Sequence, residues 1–444
     1  MSTMKKITGG CRIGFFGLGK SNLSLLCSLP LYNCAVTLRS ERAIHKSKIP
    51  PHIKIERILQ GQSAFLDIDE DILILSPSVR RDHFELCDAT ARGVILSSDC
   101  ELFLENNTKS LFAVSGSDGK STTATLTSLL LNSSQLIGNI GKPMTESLST
   151  ECNSYVIELS SFMLTYSNIQ AKRACLTNIT PNHLDWHKSF EEYRDTKLSL
   201  IKNAKECVIN ADDEILADYA GKFGAYGIIS DKSDFSSLKR YKSEVIVTRC
   251  NEGIARNGKL IVRYSSILKK EPHNIKNLMM AIAMTDGYTS VEKINEVANS
   301  FSGLSHRCEI FLVKDGVEYI NSSIDSSPAR TVQTLTALDR RVILLLGGRS
   351  KGVGYAALRD VVKKYAEYAL IFGENRIEIY NEIKEKTKCE LYDNMTSAAY
   401  RAMELSGVCG SILLSPASTS YDAFCDFEER GNRFKNIINE IKCK

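Results

Sequence analysis

The sequence predicts an α/β protein of three domains, each built around a mainly parallel sheet. Three observations carry that reading. A strand, a glycine-rich turn and a helix follow one another at 12–29, at 110–130 and at 342–368. Strands keep alternating with helices between these points, and alternation of this kind returns the chain to the same sheet edge, in parallel. Two polar or glycine-bearing breaks, ENNTK at 105–109 and GLSHR at 303–307, divide the chain. The expected domains are 1–106, 107–304 and 305–444, within the two to four that 444 residues allow at roughly 150 residues each.

The first domain opens on RIGFFGLG at 12–19, a strand running into a turn. A helix over 21–29 and strands over 34–38 and 71–75 complete a βαβ pattern. The turn reads Gly17-x-Gly19-x-x-Asn22, with Asn in place of the third glycine of a dinucleotide fingerprint. The second strand ends in Thr37-Leu38-Arg39, where a ribose-binding acid would be needed for NAD. The turn therefore points to a phosphate or nucleotide group other than NAD. Arg39 is either its cationic partner or plain surface charge.

The central domain opens on AVSGSDGKSTT at 113–123. The spacing predicts a buried strand over 110–114, a small-residue turn over 115–119, and a helix from Ser121 with Leu126, Leu129 and Leu130 on one face. This is a phosphate cradle: free N–H groups of the turn and the positive end of the helix hold an anion. Lys120 adds a point charge, and Ser121 can reach a metal ion. Val114 stands where the usual loop has its first glycine, so the match is the shorter Gly116-x-x-Gly119-Lys120-Ser121.

Further on, GNIG at 138–141 offers a turn that could present backbone to a ligand. Glu158 ends an apolar strand, where α/β sheets place ligand groups and where an unpaired carboxylate is costly; a metal or other cation is its natural partner. In LTNITPNHLDWH at 176–187, Leu184 excludes the H-E-x-x-H zinc pattern. His183 stays open as a ligand, and His187 reads as structural or exposed. Lys197 lies on a helix and, from its surroundings alone, reads as surface. Asn274 and Asn277 are one helical turn apart and could meet a purine edge, or Asn274 could cap the helix. In the third domain, strands are expected over 342–348, 369–372 and 411–415, with a helix over 355–368 that turns Leu358, Val361, Val362 and Tyr365 inward.

Composition narrows the class. Hydrophobic residues make up 43% and charged residues 24%, and the net charge is +4 without a long basic run. A nucleic-acid partner is not expected. No apolar stretch approaches the 18 residues of a membrane span, and no leader precedes the first strand. None of the 14 cysteines forms a C-x-x-C pair. A cytoplasmic, reduced protein with free thiols is expected.

Taken together, GLGKSN, GSDGKSTT, GNIG, IELSSF, NITPNHLDWH, YRDTKL, HNIKN, GLSHRCE, LLLGGRSKG and SPASTSYDAFCDFEERGNRFK resemble the Mur ligases of peptidoglycan synthesis, in that family's order, over 17–435. The last segment is similar to the D-glutamate-adding branch. The resemblance implies a Rossmann-like first domain binding the UDP moiety of the substrate, a P-loop ATPase domain, and a Rossmann-like third domain binding the amino acid and closing over the second. It implies ATP-dependent amide formation between UDP-N-acetylmuramoyl-L-alanine and D-glutamate through an acyl phosphate, by a monomer.

Residue by residue, it implies that Gly116, Ser117, Asp118, Gly119, Lys120, Ser121 and Thr122 cradle the ATP phosphates, with Lys120 on the transferred one. Ser121 and Glu158 would hold one Mg²⁺, His183 and a carbamylated Lys197 a second. Asn274 and Asn277 would meet the adenine and Arg307 the phosphates. Asn139 and Ser160 would face the nucleotide-linked substrate, Gly17, Gly19 and Arg39 its uridine diphosphate. Lys351, Ser420 and Phe427 would position D-glutamate. From the residues alone, Lys351 could be one more exposed lysine and Phe427 core.

Two segments depart from the family's pattern. Asn182 stands where Asp is frequent. Ser322 stands where an acidic ATP contact is expected, with Ile324 two residues on and Asp325 next to it. Two other readings compete. A folylpolyglutamate-type ligase would lack the extra first domain. A non-catalytic nucleotide-binding regulator would not need Lys120, Ser121, Glu158, His183 and Lys197 together.

Overall fold

The computed structural model describes residues 3–41, 43–44, 49–350 and 352–442. It is an α/β structure with three sheets. The chain divides into two compact units, Met1–Phe301 with the first two sheets and Ser302–Lys444 with the third.

The first sheet is wholly parallel, in the order Ile55–Gln60, Ala35–Ser40, Arg12–Phe16, Ile72–Leu75, Ile95–Ser97. In the nine-stranded central sheet, Ser110–Ser115 lies between Arg173–Leu176 and Ser154–Glu158, parallel to both; only the hairpins at the Lys259–Arg263 edge are antiparallel. In the third sheet Val342–Gly347 lies between Ser411–Leu414 and Ala366–Phe372, parallel to both.

The strands read as unbroken apolar runs because both faces of each sheet are covered. Phe112 and Val114 enter one core, Leu111 and Ala113 the opposite one. Leu344 and Leu346 likewise part from Ile343 and Leu345. Each sheet reverses direction beside a central strand, and such switch points leave a crevice at the strands' C-terminal ends. The turns at Gly17, Gly116 and Gly347 lie at those three places.

The helix after the cradle is Lys120–Leu130. Leu126 and Leu130 are buried, but Leu129 is 46% exposed. The buried stripe is Thr123, Leu126, Thr127 and Leu130, at i, i+3, i+4 and i+7. The two threonines occupy the face that the leucine pattern assigned to Leu129. In the third domain the helix is shorter than expected, Leu358–Tyr365, and the next strand starts at once, at Ala366. Tyr355 is instead drawn into a buried group with Asn375 and Ser418.

The first two sheets are joined by specific bonds. The Asp99 carboxylate accepts from the Met144 and Thr145 amides at 3.0 and 2.9 Å. The Ser24 hydroxyl donates to Glu146 at 2.7 Å. No described helix is long and apolar enough to cross a membrane.

Candidate active site

The cradle is built by close approach. Gly116 has φ 143° and Gly119 φ 77°, the left-handed side that glycine tolerates. A Cβ on Gly116 would lie 1.9 Å from Thr177 Oγ1, and one on Gly119 2.4 Å from Asn277 Oδ1. The helix opening at Lys120 leaves the N–H groups of Lys120, Ser121 and Thr122 without acceptors four residues back. Not every expected donor is available. The Ser117 and Asp118 amides both donate to Asn178 Oδ1, at 3.1 and 2.8 Å, and the Ser117 amide also to the Asn178 carbonyl at 2.9 Å. That leaves the amides at the helix opening as the donors an anion could meet. Lys120 Nζ donates to the Ser117 carbonyl at 2.7 Å, folded back along the loop.

Around this turn the structure gathers residues that the sequence scatters. Glu158, fully buried, ends the strand beside Val114. Its Oε1 accepts from Asn139 Nδ2 at 2.8 Å, while Oε2 has no hydrogen-bond partner. A buried carboxylate oxygen left unpaired is costly, so this atom suits a cation.

Lys197 is buried too, contrary to its surface reading from the residues alone. Its helix, Phe190–Lys202, turns it under the cradle, where Nζ donates to the Gly116 carbonyl at 2.8 Å and Ser115 Oγ at 3.3 Å. Burial, then the nearby Lys120 charge, holds its amine far below the ordinary lysine value; Glu158 and Asp118 pull the other way.

His183 is exposed, sits at φ 54°, and packs its ring edge-on to Phe162, 5.0 Å between centroids. His187 is buried, with neither ring nitrogen hydrogen-bonded. Ser160 Oγ accepts from the Met163 amide at 3.2 Å, capping a short helix, and keeps its own proton to donate.

Asn274 and Asn277 are placed differently from each other. Asn274 donates to Glu271 at 3.0 Å, while Asn277 is buried against the cradle, accepting from Thr123 Oγ1 at 3.3 Å.

At the first switch point, Gly17 has φ 80°, and a Cβ there would lie 2.9 Å from the Ser76 Cβ. Gly19 is needed for neither conformation nor packing, since nothing lies within 4 Å of its would-be Cβ. Asn22 explains the missing third glycine: its Nδ2 donates to the Gly17 carbonyl at 2.7 Å and the Phe16 carbonyl at 3.2 Å.

Arg39 needs correction as a diphosphate contact. It is fully buried, and its five N–H groups go to Glu70 Oε1 and Oε2 and to the carbonyls of Ala64, Leu66 and Asp67. The guanidinium is a brace inside the first domain and has no donor left for a ligand.

The family model for the Mur ligase middle domain matches residues 114–285. A UDP-N-acetylmuramoylalanine--D-glutamate ligase of Ruminiclostridium cellulolyticum is 34% identical, over 100% of this chain and 99% of its own. One of Clostridium botulinum (strain 657 / Type Ba4) is 31% identical over 97% of each. The chain belongs to the Mur ligase family. The fold agrees: UDP-N-acetylmuramate-alanine ligase MurC of Thermotoga maritima superposes with a TM-score of 0.57 at 17% identity, over 97% of this chain and 99% of that one. MurF of Acinetobacter baumannii gives 0.54 at 15%, over 100% and 93%.

In the third domain of this Mur ligase, Gly347 and Gly348 have φ 131° and 142°. A Cβ on Gly348 would stand 2.1 Å from the Thr419 carbonyl. Ser420 is buried and Phe427 half-buried, with the His306 ring 6.1 Å from it, edge to face. Lys351 lies outside the described residues. Arg307 is exposed.

Asp325 does not stand in for an acid at 322. It is buried, and its Oδ2 accepts from Thr334 and Ser415 hydroxyls at 2.7 and 2.8 Å. Ser322 accepts from the Cys308 amide at 3.1 Å. Arg430, fully buried, donates to Ser323 Oγ and to the Ser323 and Ser418 carbonyls, tying the two segments.

Asn178, Asn22 and Arg430 are the structural residues that sequence reading missed. All three lie inside quoted motifs, Asn22 at the place of a missing third glycine.

Proposed function

We propose that this Mur ligase joins D-glutamate to UDP-N-acetylmuramoyl-L-alanine at the expense of ATP, in the building of peptidoglycan. One observation supports it most: the unpaired Glu158 oxygen and the buried Lys197 amine flank a phosphate-binding turn at a sheet switch point, in a chain whose full-length relatives carry that ligase's name.

The donor carboxylate attacks the γ-phosphorus of ATP. The bond from that phosphorus to the β–γ bridging oxygen breaks, and ADP leaves. The amine of D-glutamate then attacks the acyl carbon, phosphate departs with its oxygen, and the nitrogen gives up a proton to leave an amide. The N–H groups of Lys120, Ser121 and Thr122 hold phosphate oxygens, and Lys120 moves from the Ser117 carbonyl to the transferred group. Gly17 and Gly19 admit the donor's diphosphate to the helix end that follows them. Asn139 and Ser160 face the sugar–alanine portion, Asn274 and Asn277 the adenosine side, and Arg307 the phosphates. Lys351, Ser420 and Phe427 receive D-glutamate.

The donor set fits Mg²⁺, which prefers oxygen ligands. Ser121 and Glu158 would hold one ion, and His183 with a carbamylated Lys197 a second. Bound there, the cation supplies positive charge against the phosphoryl group in flight. Carbamylation has a physical basis, since burial lowers the Lys197 pKa and so favours the neutral amine, the form that reacts with CO₂. No disulfide joins the described cysteines, which supports a reduced, cytoplasmic setting.

Phosphate release from ATP tests the reading. It should require both UDP-N-acetylmuramoyl-L-alanine and D-glutamate. Release that ignores the nucleotide-linked donor would overturn it.

A further inference from the structure

Residues 76–81 touch two sites at once. They leave the Ile72–Leu75 strand at the ligand edge of the first sheet. At the near end the Ser76 amide donates to the Phe16 carbonyl at 2.8 Å, and Ser76 backs the Gly17 turn. At the far end the segment grips Trp186 of the central domain. The indole Nε1 donates to the Ser78 carbonyl at 2.8 Å. The Arg80 guanidinium lies over the indole, 4.8 Å from its centroid, and donates to the Trp186 carbonyl. Arg80 is itself held by Asp82 at 2.9 Å and by Glu192 at 3.2 Å.

Trp186 belongs to the turn that carries His183. The Trp186 and His187 amides donate to the His183 carbonyl at 3.1 and 2.9 Å. Phe162 packs on both rings, 4.7 Å from Trp186 and 5.0 Å from His183 between centroids. His183 is exposed and left-handed, at φ 54°. That conformation is uncommon for a residue other than glycine, though His adopts it more readily than most, and packing around it helps to keep it. The first domain reaches this turn through Trp186, which Ser78 and Arg80 hold.

We propose that Arg80 and Trp186 are positioning residues that let the nucleotide end of the donor set the His183 turn. A ligand at the Gly17 turn orders residues 76–81, and their hold on Trp186 then keeps His183 where a divalent cation needs it. The coupling is reciprocal: whatever factor the nucleotide adds to cation affinity, the cation adds to nucleotide affinity. The inference rests on His183 as a cation ligand. A seam that only glues two domains together would stabilise the fold without coupling the sites.

Trp186 is the single tryptophan of the chain, so its emission reports this one place, where Ser78, Arg80 and Phe162 meet the indole. The test uses the full chain with a non-hydrolysable ATP analogue present throughout, UDP-N-acetylglucosamine as nucleotide probe and Mn²⁺ as metal probe, free Mn²⁺ being read by electron paramagnetic resonance. In the wild type, the UDP-sugar should shift the emission and tighten Mn²⁺ about fivefold. Arg80→Ala should bring that ratio to about one, and Arg80→Lys, which keeps the charge but not the fork, should leave a partial effect. Chelation of Mn²⁺ by the nucleotide in solution is common to all variants and cancels in the comparison. Equal tightening in wild type and both Arg80 variants, or an emission indifferent to the UDP-sugar, would overturn the proposal. His183→Ala separates the two readings. If it weakens Mn²⁺ while the Arg80 variants still couple normally, only the positioning role falls; if it leaves Mn²⁺ affinity unchanged, the ligand role of His183 falls and the proposal with it.

Discussion

The amine of Lys197 donates to the main-chain carbonyl of Gly116, 2.8 Å away, across 81 positions of sequence. A buried amine thus lies directly under the turn meant for phosphate. A cation there would repel a metal ion, whereas a carbamate would supply oxygen to it. The expected outcome is a carbamate on Lys197, seen as a ¹³C resonance after exposure to labelled bicarbonate and absent in Lys197→Ala. That variant should lose ligation and recover part of it with added acetate or propionate. Full activity of Lys197→Ala without any additive would refute the role.

Lys120 shares the same turn. Lys120→Ala should cut turnover on the order of 10³-fold, the usual loss when one charge-stabilising donor is removed. Its melting temperature should stay close to that of the wild type, because the half-buried side chain bonds to a loop carbonyl and fills no core. Near-normal turnover would remove Lys120 from the transferred phosphate.

Arg39 makes the opposite prediction. Its removal leaves the Glu70 carboxylate, which it meets at 2.8 and 3.1 Å, buried without its cation. Breaking such a pair costs about 3–5 kcal/mol. Arg39→Ala should therefore unfold at markedly lower urea, while the fraction still folded binds the donor with an unchanged KM. A raised KM with unchanged stability would restore Arg39 to the ligand.

The contrast between Lys120 and Arg39 shows what a sequence can carry. Strand–turn–helix units are local, so periodicity and glycines mark the turns at Gly17, Gly116 and Gly347, while the strand order that makes them switch points is non-local. Lys120 and Ser121 are fixed by the same local spacing. Arg39 lies at a strand end too, but its fate depends on Glu70 and on three carbonyls at 64–67, and spacing says nothing about them. Lys197 is the converse case. Its helix reads as amphipathic and charged, and only the packing under Gly116 makes the lysine internal. Asn178 taking the Ser117 and Asp118 amides is equally non-local.

His306 sets a pH dependence. It is buried with Nδ1 facing Asn321 Nδ2 at 2.9 Å, and a Cβ on Gly431 would strike the ring at 2.2 Å. Burial lowers its pKa from 6.5, with Lys435 adding to the effect. The unfolded chain therefore takes up the proton first as pH falls below 6.5, and stability is lost from there down through the lowered folded value. Stability conferred by the neutral ring is fully present above pH 6.5. His306→Gln should flatten this part of the acid decline in melting temperature relative to wild type. Identical slopes for the two proteins between pH 7 and 5 would show that His306 does not titrate in this way.

Phe427 tests the acceptor. It opens the Phe427–Lys442 helix half-buried, with the His306 ring at its edge, and so has apolar surface left to offer. Ser420 lies in the segment after the Ser411–Leu414 strand, at the same end of the sheet as the Gly347 turn. Apolar surface at Phe427 and a hydroxyl at Ser420 suit a short methylene chain that carries carboxylates. Phe427→Ala should raise the KM for D-glutamate about tenfold, the value of roughly one to two buried methylenes, and leave the KM for the UDP-linked donor unchanged. D-Alanine, which lacks the second carboxylate, should be a poor acceptor because polar partners built for that group go unpaired. A panel with L-lysine, diaminopimelate and L-alanine completes the measurement. If any of these were ligated faster than D-glutamate, the acceptor assignment would fall while the Mur ligase membership stood. A shift confined to the donor KM in Phe427→Ala would move the residue to the other substrate.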